Sequence, residues 1–498
     1  METKQIERSV IYKTIVITIL LLLSLYSTRY ILIGICVGLL EIAILYILFL
    51  KKDLKNYIIL YIVFLVTSFE VPLFVSGDSN TIIYSFIRLP VIKTYHLIVL
   101  LYMPTILLLI KGFNKLKTKD HKILKRFVLC ILTVYFFSVI SMFLSLILND
   151  NGILNTSIFW EFLTGDIFRH SIALGIIVNL TLLLLIDSSF SKYLEKWLLS
   201  ILVSLCLLAP ISILLGFNGN YGNRDAILLP LGSFFGIMLL TFPFYQKYKR
   251  KKILILLGFI ILLSMLYLPS PLGGKWWLLL FLVFLIIGMS FYRSSKYRKK
   301  FIINVLVTII LVPLLVIMVL MAPMKDNTFG EESLHQLKFE QAIQTISVWE
   351  EGWFLTLPQS PKFRIDEFIN VWLEYKEKPQ YFLFGKGLGG STQHHTNFLN
   401  WANKDAFTEE QIQANIYFDL HETVNVFFLK FGLFGLIILF STLYVCFRNI
   451  FNNPWLLIGA VWLLFYYGIY YSMLLGASSL ILGLYQLNEK GNSQTIKE

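Results

Sequence analysis

Three segments carry residues suited to gripping an anion or moving a proton. Arg224 closes the Gly/Asn-rich stretch Gly216–Asp225 (GFNGNYGNRD), which runs directly into an apolar run. Glycines and asparagines allow tight turns and bring backbone N–H groups close to a ligand. A guanidinium placed there could grip an anion in fork geometry. The same stretch also fits a plain hairpin whose arginine reaches for lipid headgroups. Lys275 ends Pro269–Lys275 (PSPLGGK), just before WWLLLFLVFLII. A lysine at a helix start gains nothing from the helix dipole, whereas a phosphate there would give both the cation and the free N–H groups a partner. An interfacial Lys–Trp anchor is the other reading. His421 opens HETVNVFFLKFGLFGLIILF, where it could serve as a general base near neutral pH or simply cap the helix.

A fourth segment, Tyr381–Ser391 (YFLFGKGLGGS), has the glycine density of a phosphate loop but neither its GxxxxGK[ST] spacing nor its strand context. It also falls on the outer face derived below, where ATP is absent, so a nucleotide site is excluded. His394 and His395 are adjacent, and neighbours on a loop rarely bind one ion together. Cys36, Cys130, Cys206 and Cys446 lie in apolar runs at unrelated spacings, giving neither a disulfide framework nor a zinc site. No metal and no cofactor is expected.

The elements that must position these residues are apolar. Hydrophobic residues make up 57% of the chain and charged residues 15%, and the mean hydropathy is +0.72. A soluble protein needs more polar surface than this. Runs long enough to span the hydrocarbon layer as helices fall at about 9–27, 31–50, 57–75, 91–110, 127–148, 170–186, 197–216, 225–245, 253–269, 276–292, 301–323, 421–447, 455–472 and 474–487. The last two are short enough to be one bent element. The first follows Met1–Lys13 with no small-residue cleavage site, so it reads as a retained signal anchor. The expected fold class is all-α: a polytopic transmembrane bundle of about 12–14 spans, counted from these runs.

Charge sets the orientation. With the N-terminus in the cytoplasm, the densest basic segments all fall inside: Lys111–Arg126, Lys247–Lys252 and Arg293–Lys300. The short outside segments hold only Arg29, Arg88, Lys93, Arg169, Arg224 and Lys275. That asymmetry is the positive-inside rule, so the net charge of +13 is topological and lipid-directed rather than a sign of nucleic acid. Lys13, Glu41, Glu70 and Lys430 fall in or near spans, where charges usually face an interior cavity. Glu41 and Glu70 could line a pathway or pair with Lys13 or another buried cation.

Three regions follow: membrane helices over 1–323, one large extracytoplasmic loop over 324–420, and C-terminal helices with a short cytoplasmic tail over 421–498. The loop is rich in acids and holds Trp349, Trp353, Trp372 and Trp401. Within it, Arg364–Lys378 places Ile365, Phe368, Ile369, Trp372 and Leu373 at 3–4 spacing. This predicts an amphipathic helix with its polar face in water and its apolar face on the bundle or membrane surface.

In order, these features resemble the O-antigen ligase/O-antigen polymerase (Wzy-type) superfamily of bacterial membrane proteins, over about Leu215 to Leu439. GNRDAILLPLGSF is similar to the family's Gly-Asn-rich loop entering a helix. PSPLGGKWWLLL is similar to its turn before the next helix, with Lys275 where many members carry Arg. RIDEFINVWLEYKEKPQYFLFGKGLGGS is similar to its Arg, apolar helix and Gly-x-Gly-x-Gly, here Gly385, Gly387 and Gly389. HETVNVFFLKFGLFG is similar to its post-loop helix, with Glu422 in place of Asn.

The resemblance implies a GT-C-like glycosyltransferase that uses undecaprenyl-diphosphate-linked glycans without a metal. It implies Arg224, Lys275 and Arg364 on the diphosphate and sugar, with Gly385, Gly387, Gly389 and Glu422 in the substrate site. His421 would act as base or acceptor-orienting group. The favoured expectation is a polymerase of lipid-linked repeat units at the outer face of the cytoplasmic membrane, for an O-antigen, capsule, exopolysaccharide or similar polymer. A ligase shares the motifs and is the alternative. A lipid-oligosaccharide flippase is a weaker one, because transporters usually show two related halves and this chain places its loop asymmetrically. Expected partners are lipid-linked oligosaccharides, membrane lipids, and a chain-length regulator and flippase of the same pathway.

Overall fold

The structure is a computed structural model. It describes residues 2–27, 30–67, 94–116, 120–155, 159–215, 242, 353–357, 359–396, 401, 407–418, 420, 422–464 and 472–495. Arg224, Lys275 and His421, Glu70, and the expected spans over 225–323 apart from Phe242, lie outside the described residues.

The described chain is helical, its one β feature being an isolated antiparallel bridge between Thr392 and Tyr417. The N-terminal helices are α1 (Glu2–Ser27), α2 (Ile31–Leu50), α3 (Leu54–Thr67), α4 (Thr94–Leu116), α5 (Lys122–Ile147), α6 (Phe159–Ile186) and α7 (Phe190–Leu214). Further along come α8 (Gln359–Glu377), the short α9 (Glu409–Ala414), α10 (Thr423–Asn449), α11 (Pro454–Leu464) and α12 (Ser472–Thr495). Leu32–Leu50, Lys122–Ile147, Phe162–Ile186 and Thr423–Asn449 are long and apolar enough to cross a membrane.

The chain divides into two compact units. One comprises Met1–Lys13, Ile19–Leu199 and Phe363–Glu498; the other Thr14–Thr18 and Ser200–Lys362. In the second unit the Ser204 hydroxyl donates to the Thr14 carbonyl (3.0 Å) and Lys362 lies over the Phe354 ring.

In the first unit α4 packs along α6, and Gly175 admits Leu101 and Tyr102, leaving no room for a Cβ. Helices α11 and α12 form an antiparallel pair seated on glycines: Gly459 meets Leu480, Gly476 meets Trp462 and Gly483 meets Leu456. The C-terminal runs are therefore two helices, not one bent element. Helix α6 starts well before the expected 170. Asp166, inside the helix, is paired with Lys430 of α10.

Helix α10 is broken. Gly432 has φ +62° and ψ −159°, a conformation essentially confined to glycine. The break frees backbone groups on both sides, and residues 382–387 meet them. Lys386 N–H donates to the Leu429 carbonyl (2.8 Å) and Gly387 N–H to that of Lys430 (3.1 Å). In return Leu433 N–H donates to the Phe382 carbonyl (2.9 Å) and Phe434 N–H to that of Leu383 (3.0 Å). The Tyr375 hydroxyl reaches the Phe428 and Leu429 carbonyls at 2.9 and 2.7 Å.

One expectation is overturned. The acids and amide along α8 are not in water: Asp366, Glu367, Asn370 and Glu374 are all 0% exposed, whereas Trp372 is 42% exposed and, of the polar residues, Arg364, Lys376 and Glu377 are exposed. The spacing of the apolar residues was legible, but the buried face is chosen by hydrogen-bonding partners that come from elsewhere in the chain.

Candidate functional site

The site gathers around α8. At its N-terminal end, Arg364 Nε lies 2.9 Å from Glu422 Oε1, both partly exposed. Asn425, one turn into α10, donates to the Arg364 carbonyl (2.8 Å) and to Glu367 Oε2 (2.9 Å). Two residues that the resemblance places in the substrate site, 58 positions apart in the chain, are thus brought together at the head of α10. Glu422 directly follows His421 in sequence. The arginine is oriented by a carboxylate but not sequestered, since an exposed ion pair contributes only about 0–1 kcal/mol.

Deeper along α8 lies a four-charge cluster, buried except for the partly exposed Lys378. Lys386 pairs with Glu374 and with Asp150 Oδ2 (2.5 Å), and donates to the Ser391 carbonyl (2.8 Å). Lys378 pairs with Asp150 Oδ1 (2.6 Å) and donates to Asn151. Asn151 donates to Glu374 Oε1 (2.7 Å). Burial pushes the Glu374 carboxyl up, but Lys386 and the converging donors outweigh it and bring it down to about 2. Two cations and two carboxylates balance, which is what allows the group to be buried.

Asp366 accepts from Thr396 Oγ1 (2.6 Å) and Trp401 Nε1 (2.7 Å). Asn370 Oδ1 takes the backbone N–H groups of His395 (2.5 Å) and Thr396 (3.0 Å). His394 stacks on Trp401 at 4.9 Å, and burial lowers its pKa against the pull of Asp366. The two histidines face different carboxylates, His394 Nε2 lying 3.9 Å from Asp366 and His395 Nε2 4.0 Å from Glu374. They do not converge on one ion.

The glycines of 385–389 approach the chain itself. Gly385, Gly387 and Gly389 have φ of +71°, +81° and +69°. A Cβ on Gly385 would stand 2.4 Å from the Lys430 carbonyl carbon, and one on Gly389 2.9 Å from Leu163 Cδ1. Gly385 N–H goes to the Tyr381 carbonyl (2.7 Å) and Gly389 N–H to Asp166 Oδ2 (2.8 Å). Leu388 sinks into an apolar cluster with Ile153, Phe159, Leu163, Ile416 and Phe418. The close backbone approach that the glycines permit is spent on fastening this loop to α5, α6 and α10.

Sequence reading passed over Asp150, Glu374 and Lys386 as partners of one another, and passed over Asp166. Lys430 had been marked as an intramembrane charge, and its partner proves to be Asp166. Lys13 does not pair with Glu41: it donates to Ser9 Oγ (2.7 Å) and lies over Tyr193 and Trp197. Glu41 is buried with neither carboxyl oxygen hydrogen-bonded. Comparison of the chain with protein-family models, curated proteins and solved structures finds no match.

Proposed function

We propose that the chain is a polytopic membrane glycosyltransferase that polymerises lipid-diphosphate-linked oligosaccharide repeats on the outer side of a bacterial cytoplasmic membrane. The observation that carries this is the Arg364–Glu422 contact, which sets a partly exposed guanidinium beside the residue that follows His421. In the proposed reaction the acceptor hydroxyl oxygen attacks the anomeric carbon of the donor glycan. The bond from that carbon to the diphosphate oxygen breaks, and the lipid diphosphate leaves with the electron pair. His421 takes the hydroxyl proton. Arg224, Lys275 and Arg364 offset the charge that grows on the leaving group, the kind of interaction that usually contributes most to such a step. The glycines enter this proposal as fasteners of the loop rather than as ligands.

The span arrangement has support from the way contacts sort. Asp150 and Asn151 meet Glu374, Lys378 and Lys386, all in segments assigned outside. Lys55 meets Asp187, Tyr193 meets Asn56, Trp455 meets Glu195, and His121 stacks on Tyr485, all at ends assigned inside.

The test is glycan synthesis in cells carrying normally inserted His421→Ala, Arg224→Ala or Arg364→Ala chains. Full-length polymer from all three would end the assignment. In a deletion strain, single-repeat glycan marks a polymerase, whereas long lipid-linked chains that never reach an acceptor mark a ligase.

A further inference from the structure

Arg364 is held twice by the start of one helix. It lies in the second turn of α8, which runs alongside the first half of α10 in the same direction: Phe368 stacks on Phe428 at 5.0 Å and the Tyr375 hydroxyl reaches the Leu429 carbonyl at 2.7 Å. Nearer the start of α10, Glu422 takes the Arg364 side chain at Nε (2.9 Å). Asn425 takes the main chain, donating to the Arg364 carbonyl (2.8 Å). The other amide hydrogen of Asn425 goes to Glu367 Oε2 (2.9 Å). Thr423, between the two, ties this end of α10 to α11 by donating its hydroxyl to the Leu464 carbonyl (3.1 Å).

Neither contact is needed to keep α8 a helix. A helical carbonyl already accepts from the amide four residues on, so Asn425 places a second bond on an acceptor whose two lone pairs allow it. The Arg364–Glu422 pair is partly exposed on both sides, and such pairs add little to stability. What the two contacts do together is fix a long side chain at both ends. An arginine free to turn about its many bonds loses that freedom when it binds, at a cost in affinity. Here the backbone end is fixed by Asn425, which is 3% exposed, against the fully buried Glu367. The amide's orientation follows from its neighbours, since only its NH2 group can face two oxygen acceptors. A guanidinium has more N–H donors than one carboxylate engages even when bidentate. Among the described residues no carboxylate besides Glu422 pairs with Arg364, so the remaining donors are held ready for an oxyanion.

We infer that Asn425 is a positioning residue for Arg364, setting its guanidinium to receive a phosphate oxygen of a lipid diphosphate. Asn425 acts through Arg364, and Glu367 acts through Asn425 by aiming the amide. The role rests on the reading of Arg364 as a diphosphate ligand, and two variants tell a failure of one from a failure of the other.

The purified full chain in detergent is titrated with farnesyl diphosphate, with farnesol as the uncharged reference, and bound lipid is counted by native mass spectrometry. The wild type should prefer the diphosphate. Arg364→Ala should weaken that binding about tenfold, the scale of one hydrogen bond to a charged group. Asn425→Leu should weaken it several-fold in the wild-type background and leave it unchanged in the Arg364→Ala background, because the group it acts through is gone. Equal weakening in both backgrounds would make Asn425 merely structural and overturn the positioning role. Wild-type binding by Asn425→Leu, with Arg364→Ala impaired, would also overturn it and leave the reading of Arg364 standing. Binding that Arg364→Ala does not weaken would overturn both. Should Asn425→Leu not fold, Asn425→Leu with Glu367→Gln, which removes the buried charge facing the amide, is read in the same two backgrounds.

Discussion

Gly432 and Gly385 touch backbone to backbone: a Cβ on Gly432 would stand 2.5 Å from the Gly385 nitrogen, and one on Gly385 2.5 Å from the nitrogen of Phe431. Each glycine is also at positive φ, so each is held by two independent requirements, backbone conformation and space. Gly432→Ala should cost about 1–3 kcal/mol in backbone strain and about 1–3 more in overpacking. The expected result is loss of the monodisperse species in detergent. Gly387→Ala should do the same through α5, where its Cβ would lie 2.2 Å from the Ser138 carbonyl oxygen. Gly165→Ala, which meets nothing within 4 Å, is the control and should leave the profile unchanged.

Lys386 is fully buried between Glu374 and Asp150. Lys386→Met leaves the two carboxylates facing only Lys378, and breaking a buried pair in this way costs about 3–5 kcal/mol. Lys386→Met with Glu374→Leu leaves Asp150 and Lys378 as a balanced pair and should recover most of that loss. Thermal unfolding in detergent measures both. A double variant no better than the single one would refute the charge-balance account.

Asp166 and Lys430 should behave as one unit. Asp166→Leu and Lys430→Met each strand a buried charge, whereas the double variant strands none. The coupling in a double-mutant cycle should be favourable and at the upper end of the ~0.5–3 kcal/mol usual for contacting residues.

Acid should remove the Glu374 contribution in a defined window. Its folded pKa lies below the ordinary 4.5, at about 2. A depressed carboxylate stabilises fully above its unfolded pKa and loses that effect as pH falls toward the folded value. The stability gap between wild type and Glu374→Gln should therefore be constant from neutral pH down to about 4.5 and close as pH approaches 2. A gap that closes between pH 8 and 6 would point to a different group.

Arg364→Ala should separate activity from folding. The ion pair with Glu422 is partly exposed, so its loss should change stability by no more than about 1 kcal/mol. If the guanidinium stabilises a departing diphosphate, polymer synthesis should fall about 10²-fold, the scale of losing one such donor. A parallel loss of folded protein would make Arg364 structural instead.

Local sequence made the long helices legible, because twenty apolar residues leave few alternatives to a helix. It also placed Glu422 at an element end, where it is found, whereas Arg364, expected to open its helix, lies inside α8, which begins at Gln359. The orientation of α8 was not legible. Ile365, Phe368 and Trp372 define a face by spacing alone, but the buried face is fixed by Asn151, Lys386, Thr396, Trp401 and Asn425, all distant in sequence. The glycine loop was misread for a related reason. Positive φ and close approach are visible in Gly385, Gly387 and Gly389, but what approaches them lies far away in sequence: the break in α10 at Gly385, α5 at Gly387 and Leu163 of α6 at Gly389. Lys430 stood out as a charge in an apolar run, but its partner Asp166 did not.

The broken helix also dictates an order of assembly. Residues 382–387 leave the ribosome before α10, yet the groups they must bond lie on α10. Until both are present, the carbonyls of Leu429 and Lys430 and the N–H groups of Leu433 and Phe434 have no protein partner at the break. Docking of the loop onto α10 is thus a step that follows delivery of that helix, and completion of the loop's contacts waits on its synthesis. A nascent chain truncated before Thr423 carries the whole loop and its contacts to α5 and α6 but none of its bonds to α10.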